Sequence, residues 1–238
     1  MFPATRHSVI ASAASGDADA RRDGFGLFVE AYWRPVYKYV RLRWRAAPDE
    51  AADLTQAFFA RAFEKRFLDP FDPSRARFRT FLRTCLDAFV ANQRQAGDRQ
   101  KRGGGMAVVS FDALTAEREL RRQAGAVTRD LDDYFDREWA RSVLALAVER
   151  FRAEALRTGR GRQVTVFTRY DLEAPDRDER LTYAGLAREL GMTVTDVTNT
   201  LHAARREFRA AVLQCLRELT ASEDEFRAEA RRLLGMHL

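Results

Sequence analysis

A chain of 238 residues with 46% hydrophobic and 32% charged side chains is not depleted of apolar residues as disordered polypeptides are, and no stretch approaches about 18 unbroken apolar residues. Lys and Arg outnumber Asp and Glu by 41 to 35, and the formal charge of +6 favours a polyanionic partner, nucleic acid ahead of an acidic membrane surface. The two cysteines, Cys85 and Cys215, stand at apolar helical positions far apart, so neither a metal site nor a disulfide framework is expected, and the cytoplasm is the expected location.

The segment MFPATRHSVIASAASGDADA has no continuous apolar run, so residues 1–24 are expected to form an arm and not an export signal. From there Phe25, Phe28, Val29, Tyr32, Val36 and Val40 recur at helical steps and predict one buried helix face. Pro48, Asp49 and Glu50 mark a break and a new start, and a second helix is expected over Asp53 to Leu68, with Leu54, Phe58, Phe59, Phe63 and Phe67 inward. Asp69-Pro70-Phe71-Asp72-Pro73 ends it, because each proline removes a backbone donor. A third helix follows in Phe78, Phe81, Leu82, Cys85, Leu86, Phe89 and Val90.

The other face of that helix is cationic. Between Pro73 and Arg102 stand Arg75, Arg77, Arg79, Arg83, Arg94, Arg99, Lys101 and Arg102 against Asp87 and Asp98 alone, a surplus as large as that of the whole chain. Gly103-Gly104-Gly105 closes this block, so the first domain is expected over 25–102 and a linker over 103–137. The linker is poor in periodic apolar residues and rich in acids, unlike a DNA-binding surface. Trp139, Val143, Leu146, Ala147 and Phe151 then open a second helical domain, expected over 138–219.

Within that domain two helices meet at a tight turn. Leu186, Ala187 and Leu190 give the inner face of the first, Gly191 the left-handed turn, and Thr193 a cap for the second. Val194, Val197, Leu201, Ala204 and Phe208 form its buried stripe. Thr195, Asp196, Thr198, Asn199, His202, Arg205 and Arg206 remain for the outer face, the candidate set for reading base edges in a major groove. An ordinary pair of packed helices fits the same spacing. In the tail, residues 220–238, Phe226, Ala230, Leu233 and Leu234 share one amphipathic face able to fold back over a domain. The expected fold class is therefore all-α: two small helical domains joined by a linker, the second containing a helix-turn-helix.

No catalytic site is expected. His7, His202 and His237 are scattered, no Gly-rich phosphate loop follows a strand, and no nucleophile stands with a base, so neither a cofactor nor a metal is called for.

Taken in order, DLTQAFFARAFEKRFLDPFDPSRARFRTFLRTCLDAFVANQRQ and YAGLARELGMTVTDVTNTLHAARREF resemble the extracytoplasmic-function group of sigma factors in the sigma-70 family. MFPATRHSV, EAYWRPVYKYVR, QKRGGG and DREWARSVLALAVERF are similar to a large branch of that group. The resemblance implies a non-enzymatic protein that binds core RNA polymerase and directs promoter recognition. Its first domain would dock and melt; its second would read the upstream element. Asp53 and Gln56 match residues that grip the polymerase clamp helices, although Ala57 stands where an acid is usual and Asp53 also suits a first-turn dipole position.

The same resemblance assigns Phe71 and Phe78 to a pocket for unstacked promoter bases, with Arg75, Arg77, Arg79 and Arg83 on phosphates. Phe81 and Phe89 read as core. Ala88 stands where many relatives carry asparagine, and Thr198 and Thr200 where lysine and arginine are common. Promoter DNA and core RNA polymerase are the implied partners, with no membrane; an anti-sigma factor or kinase is unidentified, and Thr55, beside Asp53, is a consequential place for an added phosphate. The alternative is a transcription regulator, or an RNA-binding adaptor, that uses its helix-turn-helix without acting as a sigma subunit.

Overall fold

The computed structural model describes residues 18–65, 71–72, 75–97, 112–123, 130–173 and 181–236, and among them every regular element is helical. The helices are α1 (Ala18–Arg43), α2 (Pro48–Lys65), α3 (Phe78–Gly97), α4 (Ala113–Arg122), α5 (Leu131–Arg157), α6 (Gly161–Phe167), α7 (Tyr183–Leu190), α8 (Val194–Leu219) and α9 (Glu223–Leu234), with a π-helical turn, Thr168–Leu172, after α6. The all-α expectation holds for these residues. None of the helices is long and apolar enough to cross a membrane. The N-terminal arm up to residue 17, residues 66–70 at the expected end of the second helix, Arg99, Lys101, Arg102 and the triple glycine lie outside the described residues.

The chain divides into two compact units, Met1–Val143 with Leu216–Leu238, and Leu144–Cys215. In the first, α2 begins on Pro48, whose missing N–H costs nothing in a first turn, and carries Asp49 and Glu50 where the helix dipole favours acids. Phe28, Tyr32, Val36 and Val40 of α1 are buried with Phe58 and Phe59 of α2 and Phe78, Leu82, Leu86 and Val90 of α3. Their rings meet mostly edge to face: Phe28 lies 5.5 Å from Phe59 and 5.9 Å from Phe78, and Phe58 lies 5.6 Å from Phe89.

The expected linker departs from its sequence reading. Residues 113–122 form α4, capped by the Asp112 carboxylate, which accepts from the Thr115 N–H at 3.0 Å. This helix buries only Ala116, Glu117 and Leu120, so apolar periodicity does not reveal it. Charge holds it instead. Glu117 accepts from Arg41 at 2.9 and 2.7 Å and from the Tyr37 hydroxyl at 3.1 Å, while Glu119 accepts from Lys38 at 2.7 Å and Arg34 at 3.3 Å. The fully buried Lys38 ammonium is completed by Glu138 of α5 at 2.5 Å. Hydrogen bonding from Arg41 lowers the Glu117 carboxyl below its usual value against the opposing effect of burial.

The tail is α9, capped by Ser222, whose hydroxyl accepts from the Glu225 N–H at 3.2 Å, and closed by the left-handed Gly235. It belongs to the first unit, with Phe226 and Ala230 buried and Arg217 over the Phe226 ring at 5.0 Å. Its amphipathic spacing therefore corresponds to a packed helix. Trp139 and Val143, expected to open the second domain, are buried within the first unit, because α5 is one uninterrupted helix whose early turns serve that core. The second unit thus begins at Leu144 and not at 138.

In that second unit, Phe151, Phe167 and Ala204 pack with Val164, Phe208 and Ala211. A neighbouring cluster joins Val166, Leu186, Ala187, Val197 and Leu201 to Tyr170, Leu181, Tyr183, Leu190 and Met192.

Candidate nucleic-acid interface

The α7–α8 corner is built from its caps inward. The Thr182 hydroxyl accepts from the Gly185 N–H at 3.0 Å and starts α7. Gly191 ends it at φ 62°, ψ 38°, the left-handed conformation that costs glycine nothing, and the Met192 N–H then reaches back to the Ala187 carbonyl at 2.8 Å. At the start of α8, Thr193 accepts from the Asp196 N–H at 3.1 Å while its hydroxyl donates to the Asp196 carboxylate at 2.7 Å, a reciprocal capping pair. Val197, Leu201 and Ala204 are buried beneath, as their spacing predicts. Val194, expected in the buried stripe, is 48% exposed, because the first residue of the helix sits at its rim.

The seven expected outer-face residues are all exposed, yet they do different jobs. Asp196 is engaged in the cap. The Thr198 hydroxyl donates back to the Val194 carbonyl at 2.9 Å, leaving its methyl as the free part of the side chain. Arg205 grips Asp171 of the π turn with two bonds, 2.9 and 2.8 Å, and lies over the Tyr170 ring at 5.6 Å; hydrogen bonding to Asp171 raises its pKa still further. Arg169 ties the same turn to Glu189 of α7 at 2.9 and 2.7 Å. Thr195, Asn199, His202 and Arg206 remain, at i, i+4, i+7 and i+11, a straight stripe opposite the buried one.

The set expected in the first unit divides. Arg75 and Arg77 are exposed, and Phe71 is half-buried with its ring 5.1 Å from Phe78 and 5.2 Å from Phe81. Phe78, by contrast, is fully buried, and Arg79 and Arg83 are 1% and 8% exposed. Arg79 donates to Asp136 of α5 at 3.0 and 3.4 Å and to Glu229 of α9, and stacks on Trp139 at 4.0 Å. Arg83 pairs with Asp132 and Asp136, both at 3.1 Å, and Arg232 of α9 joins Asp136 at 3.2 Å.

Two of the four arginines assigned to phosphates, and one of the two ring residues, are therefore internal in this structure. Acids from the presumed linker and tail cover that face of α3. Burial acts to raise the Asp136 carboxyl, but Arg79, Arg83 and Arg232 outweigh it and hold the group below its ordinary value. A signal for this was present in the sequence: Arg79 and Arg83, Asp132 and Asp136, and Glu225 and Glu229 are each four residues apart, three complementary helical pairs.

On α2, Asp53 is exposed and Gln56 half-buried, so both can be reached by a partner. Thr55 between them is 1% exposed and its hydroxyl has no hydrogen-bond partner among the described residues, so a kinase cannot reach it without local opening. Sequence reasoning missed a cavity of about 380 Å³ between α2 and α3, floored by Phe58, Cys85 and Phe89 and rimmed by Arg61, Asn92 and Gln93; Ala88 lines it too. Burial raises the Cys85 thiol above its usual value. No group of His, Cys, Asp and Glu among the described residues is placed to hold a metal ion.

Comparison with protein-family models, with curated proteins and with solved structures finds no match for this chain.

Proposed function

We propose that this chain is a sigma factor of the extracytoplasmic-function type, which binds core RNA polymerase and directs promoter recognition without catalysing a reaction. The observation that carries the reading is the α7–α8 corner: a left-handed glycine, a capped second helix, and a straight outer stripe of Thr195, Asn199, His202 and Arg206 that no other described residue covers. A helix so presented suits the major groove. The second unit is thus the helix-turn-helix domain of a two-domain protein, and the first carries the polymerase contact through Asp53 and Gln56.

Promoter melting in this reading rests on a smaller set than the sequence suggested. Phe71, Arg75 and Arg77 precede α3 and are accessible, with Phe71 as the ring against which an unstacked base packs. Arg79 and Arg83 act through the shape of the domain. The burial of those two arginines also favours a second reading, a DNA-binding regulator that never joins polymerase, because fewer cations remain to hold a melted strand.

Mixing the full chain with core RNA polymerase separates the two. Co-elution on size exclusion, weakened at least ten-fold by Asp53→Ala with Gln56→Ala, together with promoter-dependent run-off transcription, is expected for the sigma factor. Duplex binding without any polymerase association would leave the regulator.

A further inference from the structure

The first two turns of α8 are unusual in what they withhold. Guanine is most often read by an arginine or lysine forked onto O6 and N7, and cytosine by a carboxylate accepting from N4. No free cation is on offer here, and the one carboxylate is already partly engaged. From Val194 to Leu201 there is no basic residue, and the first one beyond, Arg205, is clamped on Asp171. The acid, Asp196, has one carboxylate oxygen taken by the Thr193 cap.

What remains exposed is of another kind. Asn199 holds both an acceptor and a donor, the combination that pairs with N7 and N6 of adenine. Around it stand the half-exposed Val194, the methyl of Thr195, and Thr198, whose hydroxyl is turned back to the Val194 carbonyl. Apolar groups of this size pack on the thymine methyl in the major groove. His202, one turn on, offers ring nitrogens that N7 of either purine satisfies, so it adds no choice between them. Arg206 and Arg209 are exposed further along the helix, where two cations complement a phosphate strand.

Resting on the reading of α8 as a major-groove helix, we infer that the duplex element it recognises is centred on an A·T pair, with adenine taken by Asn199 and adjacent thymine methyls by Val194, Thr195 and Thr198. Discrimination lies in these uncharged groups. Arg206 and Arg209 hold the backbone irrespective of sequence.

The test is selection by the full-length chain from a pool of randomised DNA duplexes at low salt, followed by the same selection with Asn199→Ala, Asn199→Arg and Arg206→Ala. All these positions are exposed, and equal helical circular dichroism verifies that each variant is folded. The wild-type pool is expected to enrich an A·T pair whose preference falls by roughly 5- to 150-fold in Asn199→Ala, the range for one forked base contact. Asn199→Arg is expected to move that position toward G·C, and Arg206→Ala to weaken every sequence alike. An enriched pool in which Asn199→Ala relaxes no position, or relaxes one that holds G·C, overturns the inference while leaving α8 a DNA-binding helix. A wild-type pool with no enrichment at all, either by the chain alone or by the chain together with core RNA polymerase, removes the major-groove reading itself.

Discussion

Replacing Arg79 by alanine tests whether the acidic cover on α3 holds the first unit together. The guanidinium is 1% exposed, bonded to Asp136 and Glu229 and stacked 4.0 Å from Trp139. Without it, Asp136 keeps Arg83 and Arg232, but Glu229, itself 1% exposed, is left with Arg232 at 4.0 Å as its nearest cation. Stranding one member of a buried pair costs about 3–5 kcal/mol. Loss of the cation over the indole adds roughly 0.5–2 kcal/mol. A total of roughly 3.5–7 kcal/mol is therefore expected. Trp33, Trp44 and Trp139 all belong to the first unit, so tryptophan fluorescence during urea unfolding follows that unit alone. Arg79→Met combined with Glu229→Leu removes both charges and should recover most of the loss, since an apolar pair of similar volume commonly replaces a buried ion pair without penalty. A single variant that unfolds within about 1 kcal/mol of wild type would refute the view that this network, and not apolar packing alone, fixes α5 and α9 on α3.

Truncation after Thr220 deletes α9, with the buried Phe226 and the Glu229 partner of Arg79, and should lower the tryptophan-monitored stability by about 3 kcal/mol or more, read in the same urea titration. Acidification acts on Asp136 and Glu117, whose folded-state values lie below their unfolded ones; their contribution is complete above about pH 4–5 and is lost as pH falls through the folded values, so fluorescence-detected stability should drop on the acid side and less steeply in Arg79→Ala. Gly191→Ala meets no atom within 4 Å but forces a side chain to φ 62°, so it should destabilise the second unit by about 1–2 kcal/mol in thermal circular dichroism without disturbing the tryptophan transition. Single-stranded DNA held only by Arg75 and Arg77 should show a slope of log affinity against log salt near about −1.4, where four phosphate contacts would give about −2.8.

What the sequence made legible was governed by apolar periodicity. The faces of α1, α2 and α3 follow directly from Phe28, Tyr32, Phe58, Leu82 and Leu86, and the α7–α8 corner from Leu186, Gly191, Val197 and Leu201. Where apolar residues thin out, the reading failed. Helix α4 buries a glutamate among its three covered residues, and its anchors are Arg41 and Lys38 on α1, some eighty positions away in sequence. A charge counts as solvent-facing until its partner is known. That rule sent Arg79 and Arg83 to the surface, whereas their partners come from α5 and α9. The candidate site suffered in proportion: Thr195, Asn199, His202 and Arg206 kept the places that spacing assigned them, but Asp196 and Arg205 were claimed by local partners that a count of exposed positions does not reveal.

The same burial redraws the meaning of the basic surplus. A formal excess of six between Pro73 and Arg102 looks like a phosphate-binding stripe, yet Arg79 and Arg83 are neutralised by acids of α5 and α9, and Arg94 by Glu50 at 3.0 Å. Among the described residues of that stretch, Arg75 and Arg77 are the cations left for a polyanion, and both precede α3 next to Phe71. Charge and an accessible ring thus converge on one short segment and not along a helix face. A strand held there is, under the proposed reading, gripped at a point, with the rest of the affinity coming from the polymerase that Asp53 and Gln56 would engage. Under the proposed reading, weak binding of DNA by the free chain and strong binding in the presence of polymerase are two consequences of one arrangement: cations spent inside the fold cannot also hold phosphates.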